Sequence, residues 1–206
     1  MKTNLLTSLF LIFLAVAASL CCLAAPVGAE TARLNQPVAL NITLPQIGAG
    51  PTEAALDFAR QKGDKNLVLL FLSEQCSITY FYKARLQKLV RDFGNKGFVF
   101  VGVRCGKKLH PEAPVTLAET SYLKMPFADD VRGELAARFG IRQSLIFAVV
   151  DKVGRLRYLG GLDDSVDEAS VRKTPLRDAL RALSAEKLVA VQGGRSFGCA
   201  IVPIIP

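Results

Sequence analysis

The chain has 206 residues, 26 Lys and Arg against 18 Asp and Glu for a formal net charge of +8, and five cysteines. This length fits one domain with a sizeable core rather than two, and the few cysteines remaining after a leader is removed exclude a disulfide-built scaffold. The positive charge favours anionic surfaces, but the basic residues are scattered without an aromatic-interleaved cluster or nucleic-acid motif; a solvated basic surface and no nucleic-acid partner are expected.

The N-terminal stretch carries one positive charge at Lys2, an apolar run over 9–18, and the small residues Val27-Gly28-Ala29 before Glu30. This pattern predicts a secretory signal peptide over 1–29, and hence a periplasmic or other extracytoplasmic location. No charge lies between Lys2 and Glu30, so an uncleaved segment is long enough to span a bilayer, and a membrane is a partner only in that case. Leu20 and Cys21, the residues before Cys21 and Cys22, are not the small type that lipid attachment prefers, so both cysteines read as ordinary leader residues. Without Lys2 the charge falls to +7, and Cys76, Cys105 and Cys199 remain. Disulfides persist after export, and an odd count leaves one thiol free or joined to another molecule. The expected organisation is a leader over 1–29, one domain over 30–192 and an irregular apolar tail over 193–206.

Residues 38–44 (VALNITL) alternate apolar and polar as a half-buried strand does, with Pro45 ending it, and 54–61 reads as a short helix. The turn 63–66 leads to LVLLFL over 67–72, a continuous apolar run suited to a central parallel strand covered on both faces. It breaks at Ser73-Glu74-Gln75 and delivers Cys76, after which 80–93 takes up helical spacing, with Phe81, Ala84, Leu86, Leu89, Val90 and Phe93 expected mainly toward a core. A cysteine at a helix N-terminus faces unpaired backbone N–H groups and the positive end of the dipole, which favour the thiolate.

The next buried strand is FVFVGV over 98–103, and the β-α-β crossover it completes should be right-handed. Cys76 and Cys105 then share one rim, past the carboxyl ends of parallel strands, where open α/β sheets bind ligands. Prolines at 111, 114 and 126 make 106–126 a loop, and a second helix is expected over 131–139, stopped by Gly140. Residues 146–151 and 156–159 flank a turn and read as an antiparallel hairpin. Pro175 opens a last helix running to about residue 183, with Thr174 as its cap. The tail from Gly193 holds Cys199.

This order is that of a thioredoxin-like domain, and particular residues carry the resemblance. LVLLFLSEQC resembles the active-site strand and first cysteine of thioredoxin-like proteins. PFADDVRGELAARFGI and FAVVDKVGRLRYLGGLDD resemble the Asp-containing loop, helix and hairpin of peroxiredoxin-related redoxins. The chain is most similar to exported bacterial redoxin-domain proteins of the alkyl hydroperoxide reductase/thiol-specific antioxidant type, which also tend to carry an acidic pair after the hairpin and a Gly-Cys near the C-terminus. The resemblance implies an α/β, three-layer fold with a central mixed β-sheet flanked by helices, an enzyme of thiol-dependent oxidoreductase or antioxidant type, and no cofactor or metal. Its partners would be an external thiol reductant and an oxidised protein or peroxide substrate.

Two positions depart from the family pattern. Cys76-Ser77-Ile78-Thr79 stands where a thioredoxin has Cys-x-x-Cys, so Thr79 replaces the adjacent resolving cysteine. Counting back from Asp151, Leu145 stands where thioredoxins place a cis-proline and peroxiredoxins an arginine. Cys76 is the expected single nucleophile, attacking a disulfide sulfur or a peroxide oxygen, with Cys105 or Cys199 as the resolving thiol. Ser73 resembles the hydroxyl that holds peroxide in Thr-x-x-Cys motifs, or else caps the following helix. Arg142 reads as a solvated charge or a group within reach of the site, and His110 as an exposed loop residue in preference to a zinc ligand with Cys76 and Cys105. The acidic pair Asp163-Asp164 reads as a cap on the loop after the hairpin. The competing function is a redox-inactive binding module that holds a partner protein at the same rim, with Leu145 making that rim apolar.

Overall fold

The computed structural model describes residues 31–48, 55–73, 76–106 and 123–201. The leader, His110 and most of the 106–126 loop therefore lie outside the described residues. Among those described, no helix is long and apolar enough to cross a membrane.

A five-stranded sheet forms the centre, its strands in the spatial order 127–130 (β5), 98–105 (β4), 66–72 (β3), 146–150 (β6) and 156–160 (β7). β3 (Asn66–Leu72) lies in its middle and is buried at every residue, as its unbroken apolar run requires. It pairs in parallel with β4 (Phe98–Cys105) and antiparallel with β6 (Ile146–Val150). β6 in turn pairs antiparallel with β7 (Leu156–Gly160), closing the expected hairpin. In the turn between them the Asp151 carboxylate accepts the N–H groups of Val153 and Arg155 at 3.0 and 2.8 Å.

Side chains alternate across β3 and build a core on each face. Val68, Leu70 and Leu72 pack with Leu86, Leu89 and Phe93 of helix α2 (Ile78–Phe93) and with Leu176 and Leu180 of helix α4 (Pro175–Ser184). Leu67, Leu69 and Phe71 pack with Phe58 of helix α1 (Phe58–Lys62), Leu135 of helix α3 (Glu134–Arg138), Leu40 and Ile42. Helix, sheet and helix thus form the three layers expected.

The local expectations need several corrections. Leu40, Ile42 and Leu44 face inward as the alternation predicts, but only β1 (Thr43–Pro45) forms a ladder, with β2 (Ala55–Asp57). The helix expected over 54–61 gives way to that strand partner, and α1 starts only after Asp57, whose carboxylate caps Arg60 N at 3.0 Å. On α2 the buried stripe is Tyr82, Arg85, Leu86, Leu89 and Phe93, while Phe81 and Ala84 are exposed. The inward face includes two polar residues because each finds buried partners, which apolar spacing alone does not reveal.

The Asp-containing loop is in fact edge strand β5 (Phe127–Asp130), parallel to β4. Helix α3 is shorter than expected because Asp130 turns back to accept Leu135 N and Ala136 N at 3.2 and 2.7 Å, after a left-handed turn at Gly133. Thr174 sits at the start of α4 but makes no capping bond. Asp164 instead accepts the N–H groups of Arg172 and Lys173.

Gly102 of β4 is where β5 presses closest, since a Cβ there would lie 2.1 Å from the Phe127 ring. Gly102→Ala is expected to destabilise the fold by about 1–3 kcal/mol through overpacking. Urea denaturation checks this, and Phe127→Leu in the same chain should recover part of the loss.

Candidate functional site

Cys76 lies four residues beyond the end of β3, in a turn that leads into α2. Its N–H donates to Ser73 O and its carbonyl accepts Thr79 N–H, both at 3.1 Å. The sulfur is bonded to Cys199, with Cα atoms 5.4 Å apart across a sequence separation of 123. The solitary Cys76 thiol expected from the sequence is thus a half-cystine, and of the two candidate resolving thiols the structure brings Cys199 to it.

The described part of the tail forms no helix or strand, yet it is held along its length. Leu159 N–H and Gly161 N–H donate to the carbonyls of Gln192 and Gly194 at 2.9 and 3.0 Å, so the tail covers the outer edge of β7. The side chains of Asn35 and Gln192 exchange two hydrogen bonds. The tail then crosses to the segment before β6, where Ser144 grips it with every polar group it has. Ser144 N–H donates to Cys199 O at 2.9 Å, Ser144 Oγ accepts Cys199 N–H at 3.0 Å, and Ser144 O accepts the Ser196 hydroxyl at 2.8 Å. Ile201 N–H donates to Arg142 O at 2.9 Å, extending the antiparallel contact.

This approach needs glycine. A Cβ at Gly198 would lie 1.9 Å from Ser144 O, and one at Gly161 would lie 2.0 Å from Arg195 O. Cys199 N–H also points at Cys76 Sγ, at 3.1 Å.

Leu145 is buried with φ of 56°, and its N–H donates to Phe71 O at 2.8 Å. Its side chain joins the core beside α2, so it does not make the rim apolar as the sequence implied. Arg142 contributes a backbone carbonyl to the site. Thr79 presents a buried hydroxyl without a hydrogen-bond partner. Ser73 is buried, and its carbonyl holds the cysteine turn.

Cys105 ends β4 and is not joined to Cys76. It is a free thiol, 1% exposed, packed in the core on the α3 face. Burial, reinforced by the nearby carboxylates of Asp130 and Asp129, pushes its pKa well above the ordinary thiol range. Both effects disfavour the thiolate, the reactive form of a cysteine.

Two ion pairs with buried arginines are not apparent from the sequence, and one of them engages Asp163 of the acidic pair expected to cap the loop after the hairpin. Arg85 meets Asp163 at 2.7 Å, and Arg104 of β4 holds Asp129 of β5 through both carboxylate oxygens. Burial raises the Asp163 pKa against the opposing effect of Arg85. It also raises that of Tyr82, with help from the Asp163 charge, to about 12. Among the described residues no group of three or more His, Cys, Asp or Glu could hold a metal ion.

No protein-family model and no curated protein matches the sequence. Solved structures do match. A hypothetical protein of Sinorhizobium meliloti 1021 superposes with a TM-score of 0.68 at 23% identity, covering 84% of this chain and 95% of that one. The fold is thioredoxin-like. Peroxidoxin BcpB of Mycobacterium tuberculosis shares this thioredoxin-like arrangement at a TM-score of 0.55 and 19% identity, over 75% of this chain and 97% of its own. The C-terminal domain of a putative thiol-disulfide oxidoreductase from Bacteroides thetaiotaomicron gives 0.58 at 11% identity, over 76% and 99%. In this thioredoxin-like domain the cysteine that follows the central strand pairs with the tail instead of with its own helix.

Proposed function

We propose that the chain is an exported thiol–disulfide redox protein that cycles between a Cys76–Cys199 disulfide and the corresponding dithiol. The observation that carries this reading is the disulfide itself, which joins the cysteine before α2 to a tail cysteine. A disulfide at a strand end beside a helix N-terminus is well placed for exchange, because the departing thiolate is stabilised there. The leader pattern over 1–29 supports export, into a compartment where such a bond forms. An external thiol or an oxidised protein is the partner. Peroxide is the weaker candidate substrate, since Leu145 stands where the polarising arginine of peroxiredoxins would be and is buried.

Redox titration against glutathione, followed by acid quench and mass mapping, tests the reading. One reversible two-electron transition linking Cys76 and Cys199 is expected, unchanged by Cys105→Ala and abolished by Cys76→Ser or Cys199→Ser. A bond that thiols reduce only after unfolding would make the disulfide purely structural. The domain would then be better read as a binding module, for which exposed Tyr80 and Phe81 in the first turn of α2 offer contact surface.

A further inference from the structure

We propose that Cys199, carried on the tail, is the sulfur through which the chain exchanges with its partner, and that Cys76 is the buried thiolate that leaves and returns. This rests on the thiol–disulfide reading above and reverses the roles expected from the sequence, where Cys76 is the attacking residue.

Access comes first. Exchange proceeds by a thiolate attacking one sulfur along the S–S axis while the other departs, so the attacked sulfur must be open on its far side. Cys76 is 4% exposed, whereas Cys199 is partly exposed and is followed by exposed Ala200. The more accessible half of the disulfide is the tail residue.

Leaving-group stability points the same way, since the better-stabilised thiolate departs faster. Cys76 lies two residues before the 16-residue helix α2, next to its N-cap residue Ser77, and Cys199 N–H lies 3.1 Å from its sulfur. Charge developing on Cys76 therefore meets a helix N-terminus and a hydrogen-bond donor already in place. Cys199 itself lies on irregular chain and begins no helix.

Between the core and Cys199 the tail buries no side chain and is held by hydrogen bonds, which are what must open for it to move once the disulfide is broken. Val189 is the last residue buried in the core before Cys199, and beyond Cys199 the partly buried Ile201 packs against the other core face. Ten residues lead from Val189 to Cys199, three of them glycine. Fully extended, that segment reaches about 33–36 Å. A tail cysteine can thus carry a mixed disulfide away from the sheet rim and bring it back.

A partner thiolate attacks Cys199 Sγ, the partner–Cys199 bond forms, and the Cys76–Cys199 bond breaks with its electron pair leaving on Cys76. A second thiolate of the partner then displaces Cys199, which takes a proton from water. The two partner thiolates are oxidised to a disulfide by two electrons, and this chain's disulfide is reduced to a Cys76 thiolate and a Cys199 thiol.

The test uses the oxidised full chain and reduced glutathione at limiting amount, with acid quench, maleimide block of free thiols and peptide mass mapping. Glutathione is expected on Cys199 and maleimide on Cys76, with roughly tenfold or greater preference over the reverse pattern. Glutathione mainly on Cys76, or shared equally, overturns the assignment while leaving the redox reading intact. A folded protein in which neither cysteine takes glutathione overturns the redox reading, and this assignment with it.

Discussion

Arg85→Met is expected to destabilise the protein by about 3–5 kcal/mol, because it leaves a buried carboxylate without its counter-charge. The guanidinium donates from Nη1 to Asp163 at 2.7 Å and to Ser165 O at 2.8 Å, and from Nη2 to Val166 O at 2.5 Å and Phe81 O at 3.3 Å. It also stacks 3.9 Å above the Tyr82 ring. One side chain thus ties α2 to the loop after β7, and methionine replaces only its apolar stem. Arg85→Lys should recover a minor part, since an ammonium cannot reproduce the planar fork. Pairing Arg85→Met with Asp163→Leu should recover most of the loss, because removing both charges removes the uncompensated one.

The pH dependence carries a sign. Burial already raises the Asp163 pKa, and loss of the arginine raises it further. A raised folded-state pKa favours folding fully below the unfolded value and loses that contribution as pH rises through the folded value. The Arg85→Met penalty should therefore be largest near neutral pH and shrink as pH falls toward the ordinary carboxylate range of about 4. Urea midpoints across that range measure it, and a penalty independent of pH would rule out the charge-based account.

The second large effect concerns the disulfide. Cys199→Ser should lower the stability of the oxidised protein by about 2–5 kcal/mol, the upper end reflecting the entropy of closing a loop of this length in the unfolded chain. The bridge spans 123 residues, so it restrains most of the domain when unfolded. Wild-type protein in excess reductant should converge on the variant, and the variant itself should not respond to reductant. Equal urea midpoints for oxidised and reduced wild type would contradict this. Gly198→Ala gives an independent reading, since its Cβ would strike Ser144 O and keep the tail from seating.

Much of the fold is legible in the sequence because long apolar runs and hairpin turns are local signals. The strands over 66–72 and 98–105, helix α2, the hairpin and helix α4 all follow from periodicity and from Gly and Pro punctuation. Short elements are less legible. β2 exists because β1 offers it a partner, and β5 exists because Gly102 makes room for Phe127. Neither cause is local.

The candidate site divides in the same way. The sequence by itself determined that Cys76 lies at the end of a central strand before a helix, that Thr79 cannot form a disulfide with it, and that a second cysteine waits in a glycine-containing tail. Only the tertiary structure decided between Cys105 and Cys199. Strand alternation turns the Cys105 side chain into the core on the α3 face, while Ser144 and the β7 edge guide the tail to Cys76. Ser144 has no sequence signal, because its role is to meet a segment some fifty residues further along the chain. Contacts between distant segments depend on where the sheet places them, and residue type and spacing along the chain do not encode that placement.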